Sequence, residues 1–401
     1  MSGVIIVGAG QAAGQAAASL RQEGYEGSIT LFGEEPQAPY QRPPLSKAYL
    51  SGELAMERVL VRPEKFYTDK SIELHTGTRI ETVNPDNKTV TANDGQTHSY
   101  DKLLLATGSR PRILNIEGSD LTGIHYLRTI DDVDGIRASM ATAERICIVG
   151  GGYIGLEVAA VANKLGLQVT VLEMEDRILQ RVTTPEMSAF YHELHSSRGV
   201  EIRTGTRVSG FGGEGRVTSV ICGDEEISAE LVIVGIGIIP NVELAEAAGL
   251  DCENGITVDD HCRTSHPDIY AAGDCTNHPN PILDRRLRLE SVPNAMEQAR
   301  VASSNMLGGD KTYAAIPWFW SDQYELKLQM VGFSSDGDTA VTRGDPSTNE
   351  FAVFYLSSGK VVAVDAINSP REFMVCKQLY GKQVDTEDLA NPEFELKSLL
   401  N

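Results

Sequence analysis

A chain of 401 residues, 41% hydrophobic and 23% charged, implies two or three globular domains and excludes a disordered or membrane-embedded protein. With 35 basic against 56 acidic side chains its formal charge is −21, which excludes nucleic acid and anionic membranes as partners, because both are held by clustered Lys and Arg. The acidity builds along the chain, with 11 basic and 13 acidic groups in residues 1–110, 11 and 18 in 111–237, and 13 and 25 in 238–401.

The chain opens on VIIVGAGQAAGQAAASLRQEGY. The pattern predicts a buried strand over 4–7, a glycine-rich turn and a helix over 11–22 stopped by Gly24, followed by a strand over 28–32 with Glu34 just past its end, 26 residues after Gly8. Gly8 permits the tight turn, Gly10 admits a pyrophosphate to the backbone, and small Ala13, with Gly14 beside it, lets the helix lie close to the strand. Free N–H groups at the helix start face the phosphates, and Glu34 can accept an adenosine ribose. The alternative, a glycine turn with no ligand, has the complete βαβ context against it.

The same motif recurs as RICIVGGGYIGLEVAAVANKLGLQVTVLEME. A strand over 146–149 meets Gly150, Gly152 and Gly155, a helix runs to 165 with Gly166 as its stop, and a strand over 168–172 ends at Glu173, 23 residues after Gly150. A carboxylate there favours an unphosphorylated ribose, hence NAD rather than NADP. Two dinucleotide sites 142 residues apart suggest a two-cofactor protein, a held flavin dinucleotide and a visiting nicotinamide dinucleotide between which hydride passes directly. Towards the C-terminus, strands are expected over 325–331, 339–342, 350–356 and 360–367, with a helix from about Pro370, forming a smaller α+β domain.

The six cysteines, at 147, 222, 252, 262, 275 and 376, form no CxxC and no zinc spacing, and read as reduced thiols. His192 and His195 share a helical face but lack a third ligand, so no metal is expected. The first 20 residues are uncharged but have no basic region, and the apolar run over 4–7 is too short for a secretory signal. Elsewhere the longest uncharged stretch, 231–242, falls short of a membrane span, so a cytoplasmic protein is expected.

Six further segments, PYQRPPLSK (39–47), LLLATGSRPR (103–112), VGIGIIPN (234–241), DIYAAGDC (268–275), ESVPNAMEQAR (290–300) and PWFWSDQ (317–323), lie in register with the two motifs. Together they closely resemble the NADH-dependent ferredoxin reductases of bacterial oxygenase systems, over essentially the whole chain. The resemblance implies an α/β architecture with two Rossmann-like, glutathione-reductase-like domains: FAD-binding over 1–109 and 238–316, NAD-binding over 110–237, and the C-terminal α+β domain over 317–401.

It also implies site roles. Arg42, Thr107, Gly108 and Val292 would contact the FAD, and Asp274 would bond its ribityl chain. Lys47 would sit near flavin N5 with Glu157 beside it, the cation favouring the reduced anion. Pro293 would begin a helix whose positive end faces the flavin, and Trp320 would lie at the edge where electrons leave, although Trp318 is the other candidate. The alternatives from the residues alone are a solvated loop lysine at Lys47, a helix-face charge at Glu157, a turn residue at Asp274 and core for either tryptophan.

The implied cycle is NADH docking, hydride transfer to the flavin, and two single-electron deliveries to a 2Fe-2S ferredoxin that feeds a terminal oxygenase, haem or ring-hydroxylating. Such ferredoxins are commonly acidic, and the densest basic cluster in the acidic C-terminal stretch is Arg285, Arg286 and Arg288, taken as the docking patch; the alternative is a strand edge whose arginines pair with Asp284 and Glu290. Disulfide-reductase chemistry is excluded, since no cysteine precedes Cys147 and the last histidine is His278. A quinone- or monodehydroascorbate-type reductase is the alternative function. A redox-switched binding protein like the apoptosis-inducing factors is the other, although the basic surface of those proteins is missing.

Overall fold

The computed structural model describes residues 3–400. The chain divides into two compact units. The first takes the N-terminal segment to Arg42, Ala55–Arg110 and Ile238–Pro317; the second takes Pro43–Leu54, Pro111–Gly237 and the chain from Trp318 onward.

In the first unit the strands run in the order Ile72–His75, Ile29–Phe32, Gly3–Val7, Thr97–Leu105, and Ile269–Ala271 also pairs with Thr97–Leu105. Pairing is parallel across Gly3–Val7 and both its neighbours, which requires cover on both faces and explains why Val4 to Val7 are all buried. One cover is the helix Gln11–Gln22, whose Ala12, Ala13, Ala16 and Ala17 are at most 6% exposed. These small side chains allow close packing against a second helix, Val292–Met306, which presents Ala295, Ala299 and Ala302. An antiparallel arm, Ile80–Asn84 and Thr89–Ala92, extends the sheet at Thr97–Leu105.

The second unit contains a five-stranded parallel sheet in the order Glu201–Arg203, Gln168–Leu172, Arg145–Val149, Leu231–Val234, Ile124–Tyr126. Its helix Tyr153–Lys164 repeats the geometry of Gln11–Gln22. The same unit holds a five-stranded antiparallel sheet, Trp318–Gln323, Leu326–Gly332, Lys360–Ile367, Glu350–Ser357 and Thr339–Asp345, with the helix Pro370–Leu379 against it. The hairpin between Glu350–Ser357 and Lys360–Ile367 turns on Ser358 (φ 50°) and Gly359 (φ 77°), two successive left-handed residues that match the twist of the strands. Pro43–Leu54, expected within the flavin-domain stretch, is counted with the second unit because its short turn of helix, Pro43–Ser46, packs on the helices Ile130–Met140 and Tyr153–Lys164. Among the described residues no helix is long and apolar enough to cross a membrane.

Candidate active site

The first glycine turn leaves no room for a side chain at its first position. Gly8 has φ 110°, and a Cβ there would stand 2.1 Å from the Ala106 carbonyl oxygen, so no other residue fits. Gly10 caps the helix without a side-chain bond and has open space around its Cα, which leaves the first helical N–H groups directed outward. Ala13 is fully buried beneath them. Glu34 is exposed past the end of its strand, 3.4 Å from Arg79.

Other expected flavin contacts gather in this unit. Thr107 Oγ1 donates to the Asn241 carbonyl (2.7 Å), Asn241 Nδ2 returns a bond to the Thr107 carbonyl (2.9 Å), and the Asn241 N–H donates to the Gly108 carbonyl (2.9 Å). Two of the six segments are thereby stitched together. Asp274 accepts from Ser109 Oγ at 2.9 Å. Arg42 pairs with Glu35 at 2.7 Å and lies over the Tyr40 ring; burial opposes its charge, but Tyr40, Glu35 and Asp274 together hold it above the ordinary arginine range. Val292 is the first residue of its helix, one ahead of Pro293, with Ser291 as the cap. Gln298, six residues further along, accepts from the Gly273 N–H (2.8 Å) and Thr276 Oγ1 (2.9 Å), while its own Nε2 is buried with no partner among the described residues. A buried donor without a partner beside Gly273 fits a bound polar group such as a flavin dinucleotide.

The second glycine turn repeats the first. Gly150 has φ 111°, its Cβ would stand 2.4 Å from the Gly235 oxygen, and a Cβ on Gly155 would stand 2.2 Å from the Gly150 oxygen. Gly152 caps the helix with nothing near it. Glu173 reaches back over the turn and accepts the Gly151 N–H (2.7 Å) and the Glu175 N–H (2.9 Å), which holds the carboxylate at the place where an adenosine ribose would lie.

Lys47 and Glu157 meet within the second unit. Lys47 Nζ is 2.6 Å from Glu157 Oε2, with the side chains 18% and 3% exposed, so neither is a solvated surface charge. Ser46 Oγ donates to the same oxygen (2.5 Å), and Ser321 Oγ donates to Oε1 (2.6 Å). Neither serine was singled out from the sequence, because 111 and 164 residues separate them from Glu157.

Trp318 and Trp320 lie on one face of Trp318–Gln323, with ring centroids 5.7 Å apart. Trp318 is occupied by Phe373 and by Lys377, whose ammonium sits 3.8 Å from its ring centroid. Trp320 contacts only Trp318 and Phe319 among the described aromatic pairs, and is the less committed of the two.

In the basic cluster, Arg285–Leu287 is a short strand paired with Thr276–Asn280. Arg286 donates to the carbonyls of Val258 and Asn277, and Arg288 pairs with Glu290 at 2.5 Å, as the strand-edge alternative anticipated for that residue.

All six cysteines are free. Burial raises every thiol above its ordinary pKa, Cys252 to about 11, so none is poised as a thiolate.

Residues 2–299 match the pyridine nucleotide-disulphide oxidoreductase family and residues 318–400 the reductase C-terminal family, and the chain belongs to the former. It is 44% identical to putidaredoxin reductase of Pseudomonas putida, over 99% of this chain and 96% of that one. It is 42% identical to the ferredoxin–NAD(+) reductase component of an anthranilate 1,2-dioxygenase system of Burkholderia cepacia, over 99% and 98%. Among solved structures, the covalent putidaredoxin reductase–putidaredoxin complex matches at a TM-score of 0.96 and 44% identity, covering 100% of this chain and 98% of that one.

Proposed function

We propose that the chain is an FAD-dependent NADH:ferredoxin oxidoreductase that delivers single electrons to a 2Fe-2S ferredoxin serving an oxygenase. The observation that carries this reading is the pair of glycine turns, one per unit, each with an uncapped helix start, in a chain whose thiols are all buried or raised out of reactivity. Full-length relatives that are themselves ferredoxin reductases support it.

When bound, FAD supplies the conversion of a two-electron hydride into single electrons. The chain supplies the rest. Gly8 and Gly10 admit the flavin pyrophosphate, with Arg42, Thr107, Gly108, Asp274 and Val292 as its further contacts, while Glu34 takes the adenosine ribose. Gly150, Gly152 and Gly155 do the same for NADH, and Glu173 accepts its ribose hydroxyls. Lys47, fixed by Glu157, is the cation that favours hydride acceptance. Trp320 is the aromatic group for electron exit. The protein works in the cytoplasm, where NADH is supplied.

The test is direct. Purified protein bleached anaerobically with NADH should be reoxidised faster by an acidic 2Fe-2S ferredoxin than by a quinone or oxygen; faster reoxidation by quinone would replace this reading with that of a quinone reductase.

A further inference from the structure

Glu157 is the end point of a longer buried chain of hydrogen bonds. On the helix Tyr153–Lys164, Tyr153 and Glu157 stand about 6 Å apart along the axis, and on the strand Trp318–Gln323, Phe319 and Ser321 are about 6.7 Å apart on one face. The two periods match, so Tyr153 meets Phe319 (ring centroids 5.3 Å apart) and Glu157 meets Ser321 (2.6 Å). The next residue on that face, Gln323, meets His195 of the helix Pro185–Ser196 at 2.8 Å.

The direction of each bond follows from its chemistry. The Gln323 Oε1 can only accept, so the His195 ring carries its proton on Nε2. Gln323 Nε2 then donates to Ser321 Oγ at 3.2 Å, and the single Ser321 proton goes to Glu157 Oε1. Every donor points toward the carboxylate, a head-to-tail arrangement in which each bond strengthens the next. Ser321, Gln323 and His195 have no exposed surface. Burial pushes the His195 pKa down to about 4, so the ring is neutral at pH 7 and brings no competing charge.

The two carboxylate oxygens are thus divided: Oε2 takes Lys47 and Ser46, and Oε1 takes Ser321. We propose that Ser321, held by Gln323 and His195, is a positioning residue that fixes the rotation of the Glu157 carboxylate and so directs Oε2 onto Lys47. The C-terminal domain thereby contributes a group to the hydride-accepting step, and this role rests on the reductase reading given above. Without the Ser321 hydroxyl, Oε1 is a buried acceptor lacking its donor, and the carboxylate, held through Oε2 alone, is less firmly oriented toward the ammonium.

The test compares full-length, flavin-containing wild type with Ser321→Ala, Ser321→Thr and Gln323→Met. Acetylation of Lys47 by acetic anhydride, followed by mass spectrometry, reports how firmly the ammonium is held without any turnover. A lost hydrogen bond to a charged group corresponds to a change of about tenfold or more. Ser321→Ala is expected to raise the Lys47 acetylation rate about tenfold and to lower the limiting rate of flavin reduction by NADH with little change in NADH affinity, and Ser321→Thr to restore both. Gln323→Met, which leaves the hydroxyl in place, should move acetylation in the same direction by less. Wild-type acetylation in Ser321→Ala, an unchanged limiting rate, or a Ser321→Thr protein as impaired as Ser321→Ala overturns the positioning role. A wild-type protein that does not oxidise NADH overturns the reductase reading instead.

Discussion

On the proposed reading Glu173 selects between the two nicotinamide cofactors, and it would do so from a fixed position, because the N–H groups of Gly151 and Glu175 hold both of its oxygens. Glu173→Ala should lower kcat/KM for NADH about 10- to 100-fold, the equivalent of one or two charged hydrogen bonds, and lower that for NADPH by less; an unchanged NADH/NADPH ratio would remove the ribose assignment. A second residue acts through pH. Asp365 is buried, accepts from Thr183 Oγ1 (2.8 Å) and the Tyr355 hydroxyl (2.9 Å), and has its pKa pushed by desolvation from 3.8 to about 6. The folded state therefore holds this proton more tightly than the unfolded chain, so stability falls as pH rises from about 4 to about 6 and carries a constant cost of about 3 kcal/mol above that. Asp365→Asn should match wild type in urea unfolding near pH 4 and exceed it by up to about 3 kcal/mol at pH 7.5, and a difference independent of pH would refute this account. Residues of these two kinds differ in how visible they are in the sequence. Gly8, Gly150 and Glu173 are legible because a turn and a strand end fix them within 30 residues of chain. Ser321 and Asp365 are not, since a serine or aspartate within a strand gives no local sign of the partner, Glu157 or Thr183, that tertiary packing brings from more than a hundred residues away.

At the scale of the element, the repeated strand–turn–helix makes a prediction that a single copy could not. Gly8 and Gly150 have the same left-handed φ, within 1° of each other, and each faces a carbonyl oxygen too close for any side chain. Gly8→Ala should yield protein that loses its yellow cofactor on gel filtration. Gly150→Ala should keep the cofactor yet fail to be bleached by NADH, and a Gly150→Ala protein reduced at the wild-type rate would show that the second turn binds no nicotinamide. Much of the element structure could be read in advance, because hydrophobic periodicity and the glycine stops are local: the helices Gln11–Gln22 and Tyr153–Lys164 and the strand Lys360–Ile367 fall where the pattern puts them, to within a residue of the expected ends. The strand Trp318–Gln323 is not legible in the sequence, since WFWSDQ shows no apolar–polar alternation; its two faces are both partly apolar, one towards Phe373 and the other towards Tyr153. The Pro43–Ser46 turn was likewise invisible as a structural element, being four residues of 3₁₀ helix whose partners are the distant helices Ile130–Met140 and Tyr153–Lys164.

For the whole molecule the dominant quantity is charge. A protein at −21 repels an acidic electron carrier at long range, so productive encounter needs a local positive field near the point of contact. The Arg285–Arg288 cluster is the candidate, and exposure sorts the three arginines: Arg288 is half-buried and pairs with Glu290, whereas Arg285 and Arg286 are exposed on the strand edge, Arg286 donating to backbone carbonyls. Steering should depend more on the exposed Arg285 and Arg286 than on the half-buried Arg288. Because Arg286 also supports the backbone at Val258 and Asn277, Arg285→Glu is the cleaner variant, with Arg285→Glu/Arg286→Glu the larger perturbation. Electrostatic steering changes association rates by about tenfold or more at low salt and fades once the screening length falls to a few ångströms. Reduction of an acidic 2Fe-2S ferredoxin should accordingly slow about tenfold in Arg285→Glu at low ionic strength, converge on the wild-type rate near 1 M salt, and leave NADH-to-ferricyanide turnover at its wild-type value. Equal loss with both acceptors would place the arginines in the fold or the flavin site, and a deficit that persists at high salt would point to a lost contact in place of a lost field.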